Sequence, residues 1–137
     1  MTQEEKQLLL KDLCARSYYQ PFVQLNPGAY NKSEKCWICG ISGEDIYLNV
    51  DSDPFSLRNF NILPYLRSMS SMTEEEKYIY RHMLGATLNS EGESIMFVYV
   101  EDFPTVIDWL NAHHFDYRGL IEKGLALEAP EGMYKIE

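Results

Sequence analysis

At 137 residues, with 45% hydrophobic and 13% aromatic side chains, the chain has the length and apolar content of one folded domain, residues 1–137, and a composition that argues against disorder. Its net charge of −9 disfavours nucleic acid as a partner, because phosphate backbones are bound by Lys and Arg that displace counterions. The opening MTQEEKQLLL has acids where a secretory leader needs bases, and the apolar run IMFVYV at 95–100 is far short of the ~20 residues that cross a bilayer.

Three cysteines, Cys14, Cys36 and Cys39, do not suit a secreted disulfide framework and fit a reducing, cytoplasmic setting. The acids cluster. Glu44, Asp45, Asp51 and Asp53 lie between Lys35 and Arg58 with no basic residue among them. Glu91, Glu93, Glu101, Asp102, Asp108 and Asp116 lie between Arg81 and Arg118 in the same way. Acidic surface of this kind keeps a chain soluble, and it also steers a basic partner.

The first helix is expected to start at Thr2, because Thr2 and Glu5 have capping-box spacing. Leu9, Leu10, Leu13 and Cys14 would form its apolar face, and it should fade at residues 16–18, before Pro21. Three β-rich runs follow: FVQL (22–25), CWICGI (36–41) and DIYLNV (45–50). The turn signals NPG (26–28) and SGED (42–45) separate them and DSDP (51–54) closes them. Closely spaced strands without helices predict a small antiparallel sheet, and an SH3-like curl fits this half.

A second capping box, Thr73 with Glu76, predicts a helix whose packed face holds Tyr78, Ile79, His82 and Met83, with Gly85 near its stop. LNSEGES (88–94) reads as a loop, and SIMFVYV (94–100) as a strand at the centre of its sheet. Asp102 and Pro104 suit the start of a third helix, with Phe103, Val106, Ile107, Leu110 and His114 on one stripe. Asp116 would then cap a short helix that ends at Gly124 in a Schellman motif, with Leu120 against Leu125. LALEA (125–129) alternates like a strand, PEG (130–132) is a turn, and MYKI (133–136) reads as an edge strand. The fold class is therefore α+β: a small antiparallel sheet packed with three to four helices.

The residues with chemistry to offer do not converge. CWIC spaces Cys36 and Cys39 as zinc and thiol–disulfide sites do. It lies in a strand-like run, where residues three apart point to opposite faces. No second close Cys/His pair completes a zinc set; Cys36, Cys39 and His113 are the weak metal candidates. His113 and His114 are adjacent, so a helix would turn them about 100° apart. No phosphate-binding glycine loop, nucleophile elbow or calcium loop is present. No catalytic residue, cofactor-binding residue or cofactor is assigned. The chain has ten tyrosines and two tryptophans; SYYQPF (17–22) and YIYRHM (78–83) carry more aromatic positions than one helix face can bury, and such residues are enriched at interfaces. Tyr18, Tyr19, Tyr78, Tyr80 and Trp109 are the candidate partner-binding residues.

Three segments, MTQEEKQLLLKDLCAR, LPYLRSMSSMTEEE and HFDYRGLIEKGLALEAPEGMY, resemble a family of small uncharacterised proteins found in gut Bacteroides genomes and their phages. Together they span about 50 of the 137 residues. The family carries no known activity, so the resemblance implies only a bacterial or phage cytoplasm and an accessory, host-modulating role. The reading is a non-enzymatic accessory protein that binds another protein, with a basic partner favoured. The alternatives are a metal- or thiol-dependent activity through Cys36 and Cys39, and an acidic inhibitor that imitates nucleic acid. Neither partner nor oligomeric state is readable.

Overall fold

The structure is a computed structural model and describes residues 1–26, 36–84, 86–88, 94–96 and 103–134. Helix α1 spans Gln3–Arg16. Its start follows from local chemistry: the Glu5 amide donates to the Thr2 hydroxyl at 3.1 Å, and the Thr2 amide donates to the Glu5 carboxylate at 2.8 Å. A 3₁₀ turn, Ser17–Tyr19, ends it at Gln20, whose φ of 51° is left-handed. The buried face is Leu9, Asp12, Leu13 and Arg16. Leu10 packs half-buried against the core as expected, but Cys14 is exposed, which corrects its place on the expected face. The packed stripe keeps i, i+3, i+4, i+7 spacing, but two of its four members are charged.

Strands β1 (Phe22–Asn26), β2 (Cys36–Ser42), β3 (Asp45–Leu48), β4 (Phe55–Ser56) and β5 (Asn61–Leu66) pair antiparallel with their neighbours. Strand β8 (Leu127–Glu128) pairs with β5 in parallel. The order is β4-β3-β2-β1-β5-β8, so the sheet is mixed and not antiparallel alone. Parallel pairing needs a long crossover, and here it carries helices α2 (Glu74–Met83) and α3 (Phe103–Ala112). Among the described residues β4 and β8 are its two edges, and no pairing closes it into an SH3-like curl.

Strand β5, absent from the sequence expectations, carries Pro64. Proline cannot donate to a ladder and is confined to edge positions. Strand β8 reaches only Tyr65 and Leu66, so Pro64 pairs with β1 alone, opposite Val23. Ile62, Pro64 and Leu66 point inward from it.

Helix α2 has its expected cap, with the Glu76 amide on the Thr73 hydroxyl at 3.1 Å and the Thr73 amide on the Glu76 carboxylate at 2.9 Å. Of its expected packed face only Met83 packs against the core. Tyr78, Ile79 and His82 are exposed, whereas Glu76 is buried and Tyr80, Met83 and Leu84 face the core. Helix α3 buries Val106 and Leu110, with Ile107 beside them. His114 lies beyond α3 and has a left-handed φ of 62°, so it does not extend the helical stripe.

Strand β7 (Ser94–Met96) pairs with β6 (Ala86–Leu88) in a separate two-stranded sheet, not at the centre of the main one. Of the expected features, the NPG turn beyond Asn26, the Gly85 stop, residues 89–93 of the expected loop, residues 97–100 of the expected strand, the expected Asp102 cap and residues 135–136 of MYKI lie outside the described residues. Met133 and Tyr134 belong to a turn rather than a strand, and Met133 donates to the Pro130 carbonyl at 3.1 Å.

One core cluster joins Leu9 and Leu13 of α1 to the sheet and to Leu120, Leu125 and Ala126. A second holds Met72, Val106, Leu110 and Phe115, with Tyr80 and Trp109 against it. Residues 113–118 run between the two. Among the described residues no helix is long and apolar enough to cross a membrane.

Candidate functional site

The residues singled out by their chemistry are not brought together. Cys36 is buried and Cys39 exposed on β2, as a three-residue offset on a strand requires. His113 packs on Trp109 with ring centroids 4.5 Å apart, and its Nδ1 lies 2.9 Å from the Trp109 carbonyl. A carbonyl only accepts, so Nδ1 carries the proton. No group of three or more His, Cys, Asp or Glu suited to a metal occurs among the described residues. Among the aromatic candidates, Tyr80 stacks on Trp109 at 6.0 Å and both line the second core. Tyr19 is half-buried with Tyr18 edge-on to it at 5.1 Å. Tyr18 and Tyr78 point outward, 85% and 72% exposed.

The stretch His113–Arg118 instead forms a braced polar junction. On one side stands Arg67, just past β5. Its guanidinium meets Glu76 in a two-pronged pair, 2.8 Å and 2.7 Å, and lies 4.2 Å from the Phe115 ring centroid. The backbone joins in. The Arg67 amide donates to the His114 carbonyl at 2.7 Å, and the Asp116 amide donates to the Arg67 carbonyl at 2.8 Å. Burial pushes the Glu76 carboxyl up, but hydrogen bonds from Arg67 and Thr73 outweigh it and leave its pKa below the usual carboxylate value.

Asp116 is buried, and its two oxygens accept from the Leu120 and Ile121 amides at 2.9 Å and 3.0 Å. It caps a turn rather than the expected short helix, since residues 120–124 are turns. The Schellman pattern is present: Leu125 donates to the Leu120 carbonyl at 2.9 Å and Gly124 to the Ile121 carbonyl at 3.1 Å, with Gly124 at φ 74°.

On the other side stands Arg16, fully buried at the end of α1. Its Nε donates to Asp12 at 2.7 Å. Arg118 approaches the second Asp12 oxygen at 3.2 Å, and the Tyr117 ring lies against both guanidiniums, 4.9 Å and 5.3 Å from their Cζ atoms. Next to them His114 stacks on Tyr134 at 3.7 Å. The Tyr134 hydroxyl takes the Phe22 amide and donates to the Tyr65 carbonyl, both at 2.8 Å. Burial, with Arg16, His113 and Arg67 nearby, lowers the His114 pKa to about 4. Burial raises the Tyr134 hydroxyl above its usual value.

Sequence reasoning passed over Asp12, Arg16, Arg67 and Arg118. One signal for the first two was available: they share the i, i+3, i+4, i+7 stripe with Leu9 and Leu13, so an inward face must bury them as well. Arg67 and Arg118 meet their partners only through tertiary contact, which spacing does not reveal. A groove of about 420 Å³ opens beside this junction, lined by Thr73, Glu128, Glu131 and Tyr134 among others. No protein-family model, curated protein or solved structure matches the chain.

Proposed function

We propose that this is a non-enzymatic accessory protein that binds another protein. The observation that carries the reading is the outward placement of Tyr18 and Tyr78, which leaves two large aromatic rings in water. Such rings bring large contact area at low conformational cost when a partner covers them. Acidic charge favours a basic partner: the net charge is −9, and Glu128 and Glu131 stand exposed at the groove beside β8. Asp116 does not contribute to that charge surface, because it is buried on backbone amides. The cytoplasmic setting and a host-modulating role in a bacterium or its phage follow from the sequence resemblance, and belong to the same proposal.

The test is affinity capture at physiological salt with the wild-type chain beside a Tyr18→Ser, Tyr78→Ser double variant. A stoichiometric complex that the variant loses, and that weakens with added salt, supports the reading. Equal recovery by both chains, or no complex, counts against it. The thiol- and metal-based alternative gains nothing from the geometry, since Cys36 and Cys39 occupy opposite faces of β2.

A further inference from the structure

The end of the described chain is fastened by one side chain. Past β8, residues 130–132 are exposed and Met133 is half-buried, and the Met133 amide bonds back to Pro130 within the same turn. Among the described residues, every hydrogen bond, ion pair and ring contact that ties residues 130–134 to the rest of the chain belongs to Tyr134. Its hydroxyl accepts from the Phe22 amide and donates to the Tyr65 carbonyl, both at 2.8 Å. Its ring stacks on Phe22 at 5.3 Å and on His114 at 3.7 Å. Continuing the β1–β5 register sets Phe22 opposite Tyr65, so the hydroxyl sits where the next ladder bond would fall.

His114 is the member of this clasp that a proton can change. Its Nδ1 is buried and has no hydrogen-bond partner among the described residues. An imidazolium carries a proton on both ring nitrogens, so charging His114 buries an N–H at Nδ1 with nothing to accept it. Burial opposes that charge most, and Arg16, His113 and Arg67 add to it. Arg16 stands at the end of α1 with Asp12 as its partner. Arg67 stands past β5 with Glu76 as its partner. The terminal turn presents Tyr134, whose hydroxyl burial keeps neutral. The face of that ring attracts cations, but it does not replace an acceptor for a buried N–H.

We propose that residues 130–134 are a strap held shut by the His114–Tyr134 stack, and that acid releases it by charging His114. Opening moves the charge into water and parts Tyr134 from Phe22. It also removes one wall of the groove of about 420 Å³, which Pro130, Glu131, Gly132 and Tyr134 line together with Ser71 and Thr73. Neutral pH keeps the groove and acid dismantles it, while the sheet and both cores stay in place. Closed, His114 has a pKa of about 4, and released it returns to its usual 6.5. Opening therefore takes up a proton, and the open fraction grows as pH falls through this window, by about 30-fold between pH 7.5 and pH 5.

The experiment follows hydrogen exchange of the full chain by NMR over that pH range, corrected for the intrinsic pH dependence of amide exchange and repeated at low urea concentrations. The Phe22 amide reports the strap, because its acceptor is the Tyr134 hydroxyl. Amides at the centre of β5 report the whole fold. A local opening exposes little surface and responds little to urea. The expected result is a Phe22 opening that rises about 30-fold from pH 7.5 to pH 5 with almost no urea slope, while the centre of β5 stays better protected and keeps the full slope. His114→Asn accepts the left-handed backbone and does not titrate, so its Phe22 opening should stay flat over the same range. Phe22 exchange that shares the urea slope of β5, that ignores pH, or that keeps its pH dependence in His114→Asn overturns the strap. The wild-type pH profile and urea slope decide the matter should the variant not fold.

Discussion

His114 and Tyr134 stack nearly face to face, with ring centroids 3.7 Å apart and planes inclined by 16°. The contact joins the turn after α3 to a turn near the end of the described chain, and it holds a histidine at a left-handed φ of 62°. Such backbone costs about 1–3 kcal/mol for a non-glycine residue and persists only where surrounding contacts enforce it.

The histidine makes stability depend on pH. Burial and the nearby cations hold its pKa at about 4, below the usual 6.5. Between those values the unfolded chain binds a proton that the folded chain does not. Stability therefore rises with pH across this window and falls as pH drops through it. The loss reaches about 2–3 kcal/mol by pH 4. Urea unfolding at intervals from pH 7 to pH 4 measures it. His114→Asn tolerates the left-handed backbone and should flatten the slope between pH 6.5 and 5.

Tyr134→Phe keeps the ring and removes the hydroxyl that joins Phe22 to Tyr65. A strand amide and a strand carbonyl then lose their partner, at about 1–3 kcal/mol. Denaturant unfolding gives the total. Hydrogen exchange should show the Phe22 amide losing protection before the centre of β5 does.

Glu76 serves both as the capping residue of α2 and as the partner of Arg67, so one substitution disturbs two contacts. Glu76→Gln should destabilise the chain by about 3 kcal/mol, because the Arg67 guanidinium stays nearly buried without its counter-charge. Thr73→Ala removes the cap alone and should cost about 1 kcal/mol. The lowered Glu76 pKa gives stability that is complete above the unfolded carboxyl value. It is lost as pH falls below about 4.5, a window acidic to that of His114. Comparable losses for the two variants would show that the ion pair contributes little.

What the sequence made legible were the features governed by neighbours a few residues apart. Both capping boxes, the Gly124 motif and the three strand runs depend on spacings of one turn or on period-two alternation. The misses have a shared cause. Strand β5 carries a proline that is acceptable only because β8 is so short. The packed face of α1 includes Asp12 and Arg16, which a hydropathy reading assigns to water. The face of α2 is set by the Arg67–Glu76 pair, and so Tyr78 and Ile79 point outward despite their apolar character. In each case packing or pairing that hydropathy periodicity does not report overrides the local pattern, and the junction at 113–118 adds contacts to Arg67, Asp12 and Tyr134 that no short spacing reveals.

Gly124→Ala places a side chain at φ 74° and should cost about 1 kcal/mol, while Gly124→Asn costs less because asparagine accepts the left-handed region better. Open space surrounds the position, so strain in the backbone and not a clash is what thermal unfolding of the two variants compares.

The cysteines differ in access. Cys14 and Cys39 are exposed and Cys36 is buried. A thiol reagent should label two sites per folded chain and three in denaturant. Rapid labelling of all three under native conditions would show that β2 opens readily.

The parallel pairing of β8 with β5 has a consequence for how the chain reaches its native state. Residues 65–66 must find residues 127–128, and the cluster around α1 is filled only when Leu120, Leu125 and Ala126 arrive. Closing so long a loop carries a large entropic penalty before any contact repays it. Topologies dominated by distant pairings fold slowly. On the ribosome, Leu9, Leu13 and the inner face of β1–β5 emerge well before the residues that cover them. During that interval the nascent chain presents an unfinished apolar surface to whatever else is in the cell.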